Sequence, residues 1–258
     1  MTSKEEIAKN WLTRYTGLPL NQFGEYILLT NFKNYVELFA EKYRVDIIGR
    51  DKTMLNATAD NITIIDFSMG SPMAATIMDL LTAIKPKAVL FLGKCGGIKH
   101  INQLGDFIIP IAAIRGEGTS NDYFPPEVPA LPAFNLQKTT SSTIRDFGLD
   151  YWTGTVYTTN RRLWEFDENF KNYLRKIRAM CVDMETATLF SVGFHNHIPT
   201  GAVLLVSDRP MIAGGIKTEE SDNIVTKDFV RLHLEIGISS LKKLMENNIT
   251  IKHLRFEY

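Results

Sequence analysis

The sequence predicts an α/β protein in which helices cover both faces of a largely parallel β-sheet. Apolar runs of strand length alternate with amphipathic helical patterns along the chain. The run AVLFLG at 88–93 is apolar throughout, which is typical of a central strand that is buried on both faces. The sequence has no repeats, low-complexity tracts or Gly/Ser linkers. We therefore expect a single domain over residues 1–258, with an N-terminal helical extension at 1–24.

The same patterns predict the individual elements. Strand-like runs are EYILLT (25–30), RVDIIG (44–49), NITIIDFS (61–68), DFIIPIAAIR (106–115), GTVYTT (154–159), AMCVDM (179–184) and GAVLLVS (201–207). Helices are predicted at 32–40, 71–84, 185–196 and 228–247. In the second helix, Ser71 can act as the cap and Pro72 suits the first position.

Composition and charge exclude several classes of function. The chain carries 29 Lys and Arg against 29 Asp and Glu, so it lacks the general attraction of a basic protein to nucleic acids or anionic membranes. Cys95 and Cys181 are too few for a disulfide framework and suit a reducing compartment. The sequence has neither the apolar run of a signal peptide nor that of a membrane span. We expect a cytoplasmic protein with a small-molecule substrate and no nucleic-acid or membrane partner.

Two glycine-containing turns follow predicted strands, where ligands of such folds gather. In SMGSP (68–72), Gly70 allows a tight turn before helix amides that can hold an anion or a hydroxyl, although an ordinary strand–helix turn has the same pattern. In LGKCGGI (92–98), the glycines let a ligand approach the backbone beside Lys94. The spacing is not that of a P-loop. No base adjoins Cys95, which favours a packed thiol over a nucleophile.

Carboxylates follow two other predicted strands. In CVDMETAT (181–188), Asp183 and Glu185 lie where a strand passes into a helix, a pattern shared by binding sites and by plain helix-start carboxylates. In LLVSDRPM (204–211), Ser207 and Asp208 directly follow an apolar strand. A carboxyl group at such a position loses hydration, which raises its pKa and suits it to general-acid catalysis.

These four motifs, in this order, resemble the nucleoside phosphorylase/nucleosidase superfamily over residues 25–247. Three longer segments (115–134, 150–162 and 184–208) resemble its AMP-hydrolysing nucleosidases. The resemblance implies a three-layer α/β/α fold with a mixed, largely parallel twisted sheet. It also implies hydrolysis of the N-glycosidic bond of AMP to adenine and ribose 5-phosphate, without a metal or an organic cofactor. Dimers assembled into a hexamer are expected. Longer members of this group carry an additional N-terminal regulatory domain, and we expect the catalytic domain alone here.

The resemblance also assigns roles to particular residues. Asp208 matches the aspartate that protonates purine N7 as a general acid. This role requires its pKa to rise by about 3 pH units. Ser207 would orient that carboxylate or bind the base. Glu185 matches the carboxylate that holds the ribose hydroxyls, Met184 matches a residue beneath the ribose, and Tyr157 is expected to stack on the adenine.

The nucleophile and the phosphate site are less determined. Related phosphorylases have an arginine, which grips phosphate, where this chain has Phe91, and a small hydroxyl residue where it has Lys94. These differences favour water as the nucleophile, and Glu117 is one candidate to activate it. Arg50 resembles an arginine lent across a dimer interface, and Arg161–Arg162 is either an anion clamp or a solvated face. The candidates for the 5′-phosphate are Lys94, Arg50, Arg115, Arg161 and Arg162, and Gly70 is a further candidate for substrate binding.

Two alternative functions stay open. A purine nucleoside phosphorylase would need inorganic phosphate and would release ribose 1-phosphate. A non-catalytic relative would bind a nucleotide without cleaving it, but the presence of both Glu185 and Asp208 argues against this alternative.

Overall fold

Residues 3–246, which the computed structural model describes, contain eight strands that form one mixed sheet. The strands are β1 (Tyr26–Thr30), β2 (Asn56–Ala59), β3 (Ile62–Asp66), β4 (Ala88–Gly97), β5 (Phe107–Gly116), β6 (Trp152–Thr159), β7 (Cys181–Asp183) and β8 (Thr200–Asp208). Their order is β2-β3-β1-β4-β7-β6-β5-β8, and β8 also pairs with β4, so the second half of the sheet closes on itself. The pairings β2–β3, β4–β7 and β5–β8 are antiparallel, and the others are parallel. The predicted mixed, largely parallel sheet is confirmed.

Helices cover both faces of this sheet. They are α1 (Lys4–Thr16), α2 (Lys33–Tyr43), α3 (Ser71–Leu80), α4 (Phe134–Asp146), α5 (Glu168–Lys176), α6 (Thr186–His195), α7 (Glu219–Asp228) and α8 (Val230–Glu246), with 3-10 turns at Leu20–Gln22, Leu81–Ala83 and Thr119–Asp122. The apolar core on one face includes residues of α1, α3 and α6, and the core on the other face includes residues of α2, α4 and α8. Ile27 and Leu28 of β1 enter opposite cores, because successive side chains of a strand point to opposite faces. In the described part of the chain, we find no helix with the length and apolar character that crossing a bilayer requires.

The strand predicted from RVDIIG is a connecting segment in the structure. Arg44 ends α2 in a left-handed conformation with φ of 54°. Ile48 then pairs with Asn56 through an isolated bridge. Val45 and Ile47 pack against the core, which explains the apolar pattern without a partner strand. The last predicted helix is confirmed up to residue 246, and position 247 lies outside the described residues.

The start of α3 also differs from the sequence prediction. Gly70, with φ of 97°, precedes the helix, and Pro72 occupies its first turn. The Ser71 hydroxyl does not cap its own helix but donates to the Met184 carbonyl at 2.7 Å. This hydrogen bond ties the β3–α3 turn to the β7–α6 turn and so brings two of the sequence motifs together.

The sheet gathers the other motifs at the same edge. Strands β4 and β8 run parallel to each other, and a register shift between Cys95 and Gly96 places Asp208 opposite Gly96. β7 meets the end of β4 at Gly96 and Gly97. A Cβ at Gly97 would lie 2.9 Å from the Cβ of Asn102, so the glycine lets the segment after β4 pack closely on this strand. The motif predicted as a glycine-rich turn forms the end of β4, where it converges with both carboxylate motifs.

The close packing of α6 on β8 can be tested at Gly193. An alanine Cβ there would overlap the Thr200 hydroxyl and lie 3.1 Å from the Ile198 carbonyl. Overpacking of this kind costs about 1–3 kcal/mol, which outweighs the gain in helix propensity of up to about 1 kcal/mol. We expect Gly193→Ala to lower the free energy of unfolding in urea. Adding Thr200→Ala should recover part of the loss, and an unchanged or higher stability of the single variant would contradict this packing.

Candidate active site

A cleft of about 630 Å³, part of which is open to solvent, lies at the carboxyl ends of β1, β4, β6, β7 and β8. The predicted residues that line it are Lys94, Arg161, Arg162, Met184, Glu185, Ser207 and Asp208. Lining residues that the sequence analysis did not single out include Asn31, Phe32, Met69, Trp164, Glu165 and Lys217. All four sequence motifs contribute to this cleft.

Glu185 is the carboxylate that the two strand–helix turns hold in the cleft. It is 2% exposed. The Gly70 N–H donates to its Oε1 at 2.8 Å, and the Met184 N–H lies 3.3 Å from its Oε2. The side chain of Asn31 donates a further hydrogen bond. Gly70 thus acts on the site through Glu185.

The electrostatic environment of Glu185 favours its protonated form. Burial, reinforced by the nearby charge of Asp183, raises the pKa of Glu185 to about 8. The hydrogen bonds from Gly70, Met184 and Asn31 oppose this shift, because they favour the anion. A ligand that donates further hydrogen bonds to this carboxylate would favour the anion in the same way.

Asp183 has a different role from Glu185, although both belong to one motif. Its Oδ1 accepts from the Thr158 hydroxyl at 2.7 Å. Its Oδ2 accepts from the Thr186 amide at 2.7 Å, the Thr186 hydroxyl at 2.5 Å and the Glu185 amide at 3.2 Å. Burial raises the pKa of Asp183 against these hydrogen bonds. Asp183 therefore fixes the β7–α6 turn and orients Glu185.

Asp208 lies in the same cleft at the end of β8. Burial raises its pKa, and the negative charge of Glu165 acts in the same direction. The Ser207 hydroxyl donates to its Oδ1 at 2.7 Å, and this bond and the charges of Lys217 and Arg162 favour the anion. A Cβ on Gly96 would come within 3.2 Å of Oδ2, so the glycine leaves room for the carboxyl group. The expected orienting role of Ser207 matches this geometry.

Four cationic side chains line the cleft. The Lys94 Nζ lies 4.6 Å from the centroid of the Phe32 ring, and the Lys217 Nζ lies 5.5 Å from the same centroid. On the β6–α5 loop, Arg161 pairs with Asp167 at 2.7 Å and Arg162 with Glu165 at 3.3 Å. Together these groups can balance the charge of an anionic ligand.

A sequence profile of the Phosphorylase superfamily matches residues 25–239. The chain belongs to this superfamily. Its sequence is 56% identical to that of AMP nucleosidase from Bacteroides thetaiotaomicron VPI-5482. The crystal structure of that protein matches this fold with a TM-score of 0.86 over 95% of this chain and 99% of that one. Uridine phosphorylase from Vibrio fischeri ES114, at 24% identity and a TM-score of 0.76 over 87% of this chain and 93% of that one, shares the fold.

Curated relatives include both hydrolases and phosphorylases of the superfamily. AMP nucleosidase of Escherichia coli K12 is 25% identical over 90% of this chain and 57% of its own length, so the chain spans little more than half of that relative. Guanosine phosphorylase of Halorubrum lacusprofundi is 26% identical over 76% of this chain and 83% of the relative.

The position at which related phosphorylases are expected to carry a phosphate-binding arginine is apolar in this member of the superfamily. Phe91 is fully buried and packs against Phe67, with ring centroids 5.8 Å apart. A Cβ at Gly93 would meet the Phe91 ring at 2.5 Å, so the glycine that follows accommodates the aromatic side chain. The charged residue nearest to Phe91 in this motif is Lys94, which lines the cleft.

Tyr157 packs in an aromatic cluster beside the cleft and is not among the residues that line it. Its ring is edge-on to Phe170 at 5.6 Å and to Tyr173 at 5.8 Å. Gly116 makes room for it, since a Cβ there would overlap the phenol ring. The stacking of Tyr157 on adenine therefore stays a prediction. The aromatic residue that lines the cleft at this side is Trp164, which is 4% exposed.

Three charged candidates also lie outside the lining of this cleft. The guanidinium of Arg115 makes five hydrogen bonds within the loop that follows β5, to Ser120, Asn121 and three backbone carbonyls of the Pro-rich stretch. It organises that loop, which corrects its expected role as a phosphate ligand. Glu117 is buried, and its Oε1 accepts from the Ser120 amide and the Thr188 hydroxyl, so its placement does not support water activation. Arg50 is exposed in a turn.

The buried carboxyl group of Glu185 makes the stability of the protein depend on pH. In the unfolded chain the pKa of a glutamate is about 4.3. Between about pH 5 and pH 8 the unfolded state has therefore lost a proton that the folded state retains, so the free energy of unfolding falls as pH rises. Glu185→Gln removes this titration. In urea unfolding, we expect the free energy of unfolding of Glu185→Gln minus that of the parent to rise by roughly 1–3 kcal/mol between pH 5.5 and pH 8.

The exposed Glu168→Gln in α5 is the control for this measurement, and its stability should keep the pH trend of the parent. An advantage of Glu185→Gln that stays constant or shrinks with pH would contradict a raised pKa.

Proposed function

We propose that this chain hydrolyses the N-glycosidic bond of AMP and releases adenine and ribose 5-phosphate. The observation that carries the proposal is the presence of two carboxyl groups, the buried Glu185 and the partly buried Asp208, in one cleft with four cationic side chains of the described residues. The 56% identity to the AMP nucleosidase of Bacteroides thetaiotaomicron supports the choice of substrate.

Asp208 is the proposed general acid. Adenine is a poor leaving group as an anion, so protonation of N7 must accompany cleavage of the C1′–N9 bond. Burial favours the protonated form of Asp208 that this step needs, and the Ser207 hydroxyl fixes the orientation of the carboxyl group. A general acid in such a position accelerates the reaction about 10²–10⁴-fold.

Glu185 is the proposed ligand of the ribose hydroxyls. The sugar becomes oxocarbenium-like as the glycosidic bond breaks, and a carboxylate beside it favours the developing positive charge. Hydrogen bonds from the ribose hydroxyls to the carboxylate would lower the raised pKa of Glu185 and so couple substrate binding to its ionisation. Met184, whose carbonyl accepts a hydrogen bond from Ser71, adjoins this glutamate and is the proposed contact beneath the ribose.

The proposed phosphate ligands are the cations of the cleft, namely Lys94, Arg161, Arg162 and Lys217. Arg50 lies on the surface, and we propose that it serves the cleft of a neighbouring subunit in a homo-oligomer of dimers arranged into a hexamer. Water is the proposed nucleophile, because the buried Phe91 supplies no charge for inorganic phosphate. Both cysteines are buried and unpaired, which agrees with the reducing cytoplasm as the proposed location.

The products of the reaction test this proposal. We expect the purified protein to convert AMP to adenine and ribose 5-phosphate at a rate that does not require inorganic phosphate. Chromatography of the base and mass spectrometry of the sugar would identify the products, with adenosine as a parallel substrate. Ribose 1-phosphate formed from adenosine only in the presence of phosphate would instead identify a phosphorylase. AMP that stays intact under every condition would identify a non-catalytic binder.

Replacement of the general acid gives a second test. Asp208→Asn keeps the size of the side chain but cannot deliver a proton, so we expect kcat for AMP to fall about 10²–10⁴-fold. Asp146→Asn, which removes a surface carboxylate paired with Lys243, is the control and should leave kcat unchanged. Turnover by Asp208→Asn within a few-fold of the parent would show that another group protonates the base.

A further inference from the structure

Glu165 lines the cleft together with Asp183, Glu185 and Asp208, and the mechanism proposed above does not use it. Its side chain is only 10% exposed. The Trp164 amide donates to its Oε2 at 2.9 Å, and the Arg162 Nη1 lies 3.3 Å from its Oε1. Each carboxylate oxygen can accept two hydrogen bonds, so both oxygens of Glu165 retain capacity for a ligand N–H.

The position of Glu165 relative to Asp208 limits which part of a ligand it can meet. Both side chains line the cleft, and they are close enough that the charge of Glu165 raises the pKa of Asp208. Trp164 forms the adjoining apolar wall. Glu165 therefore lies beside the base that Asp208 protonates.

The chemistry of the purine edge supplies the remaining step. Adenine carries an acceptor at N7 and a neighbouring N6 amino donor on one edge, whereas guanine has acceptors at both N7 and O6. The adenine edge is complementary to a protonated carboxyl group that faces N7 and a carboxylate that faces position 6. The guanine pattern would set a carbonyl oxygen against the carboxylate. Such a contact rejects a ligand because two hydrogen-bond acceptors meet and neither has a donor.

We propose that Glu165 selects 6-aminopurine over 6-oxopurine nucleotides by accepting an N–H from the exocyclic amino group while Asp208 addresses N7. The proposal rests on the proposed hydrolysis of AMP. Arg162 contributes by holding the carboxylate in position, since its Nη1 lies 3.3 Å from Oε1. Glu165 is thus a specificity-determining residue.

Glu165→Gln provides the sharpest test. The amide oxygen can retain the hydrogen bond from the Trp164 amide, and the amide NH₂ then replaces the oxygen that would accept from N6. Such a donor suits O6. We expect the ratio of kcat/KM for AMP to kcat/KM for IMP to fall by roughly 10- to 100-fold, which is the value of one hydrogen bond to a charged group. The ratio of Kd values for hypoxanthine and adenine, measured by calorimetry, should fall by a similar factor.

Two further variants control for structural effects. Glu168→Gln removes an exposed carboxylate of α5 and should leave both ratios unchanged. Glu165→Asp keeps the negative charge, so the preference for AMP should survive even if overall activity falls. Thermal unfolding of each variant checks that the β6–α5 loop remains folded.

The outcomes separate this inference from the proposed function. If Glu165→Gln lowers kcat/KM for AMP and for IMP by the same factor, Glu165 only orders its loop. The inference is then overturned, while hydrolysis of AMP stands. If the parent leaves AMP intact but binds adenine over hypoxanthine in a Glu165-dependent way, the inference survives and the proposed function fails. If the parent binds the two bases equally, the inference is overturned whatever the activity.

Discussion

The hydrogen bond from the Gly70 amide to the Glu185 carboxylate joins the two halves of the candidate site. Gly70 belongs to the turn between β3 and α3, and Glu185 follows β7, so strands distant in sequence must be in register for the bond to form. The Ser71 hydroxyl adds a second link between the same two turns through the Met184 carbonyl. Because these bonds fix the position of a buried carboxyl group and satisfy part of its hydrogen-bonding capacity, the geometry of the cleft depends on them.

Burial places the carboxyl groups of this protein in different states, although the residues are chemically alike. Asp183 is surrounded by hydroxyl and amide donors and has a structural role. Glu185 has fewer donors and a pKa raised to about 8, and Asp208 has one serine hydroxyl and a raised pKa. The number of donors around each group, set against the loss of hydration, therefore separates an anchor from groups that are available for binding and proton transfer.

The proposed choice of hydrolysis over phosphorolysis rests on a local exchange of charge for packing. The arginine expected in the phosphorylases is replaced here by Phe91, which is part of the core, while the glycine-rich end of β4 pairs with β7. The cations that remain come from other elements, notably Lys217 and the β6–α5 loop. A common scaffold can thus favour a different nucleophile when one charge is exchanged for packed apolar surface.

The sequence by itself determined the alternation of strands and helices and the buried strand β4, because strand-length apolar runs are local signals. Its resemblance to the superfamily also made Glu185, Asp208 and Ser207 the expected site residues. It could not show that Asp183 anchors the β7–α6 turn, exclude Arg115, or find Glu165 and Lys217. The apolar run at 44–49 also misled it, since packing on the core does not require a partner strand. Only the tertiary structure decided which side chains face the cleft. This depends on strand register, on a bulge at Ser207 where β8 pairs with β4, and on hydrogen bonds between turns far apart in sequence, such as that from Gly70 to Glu185.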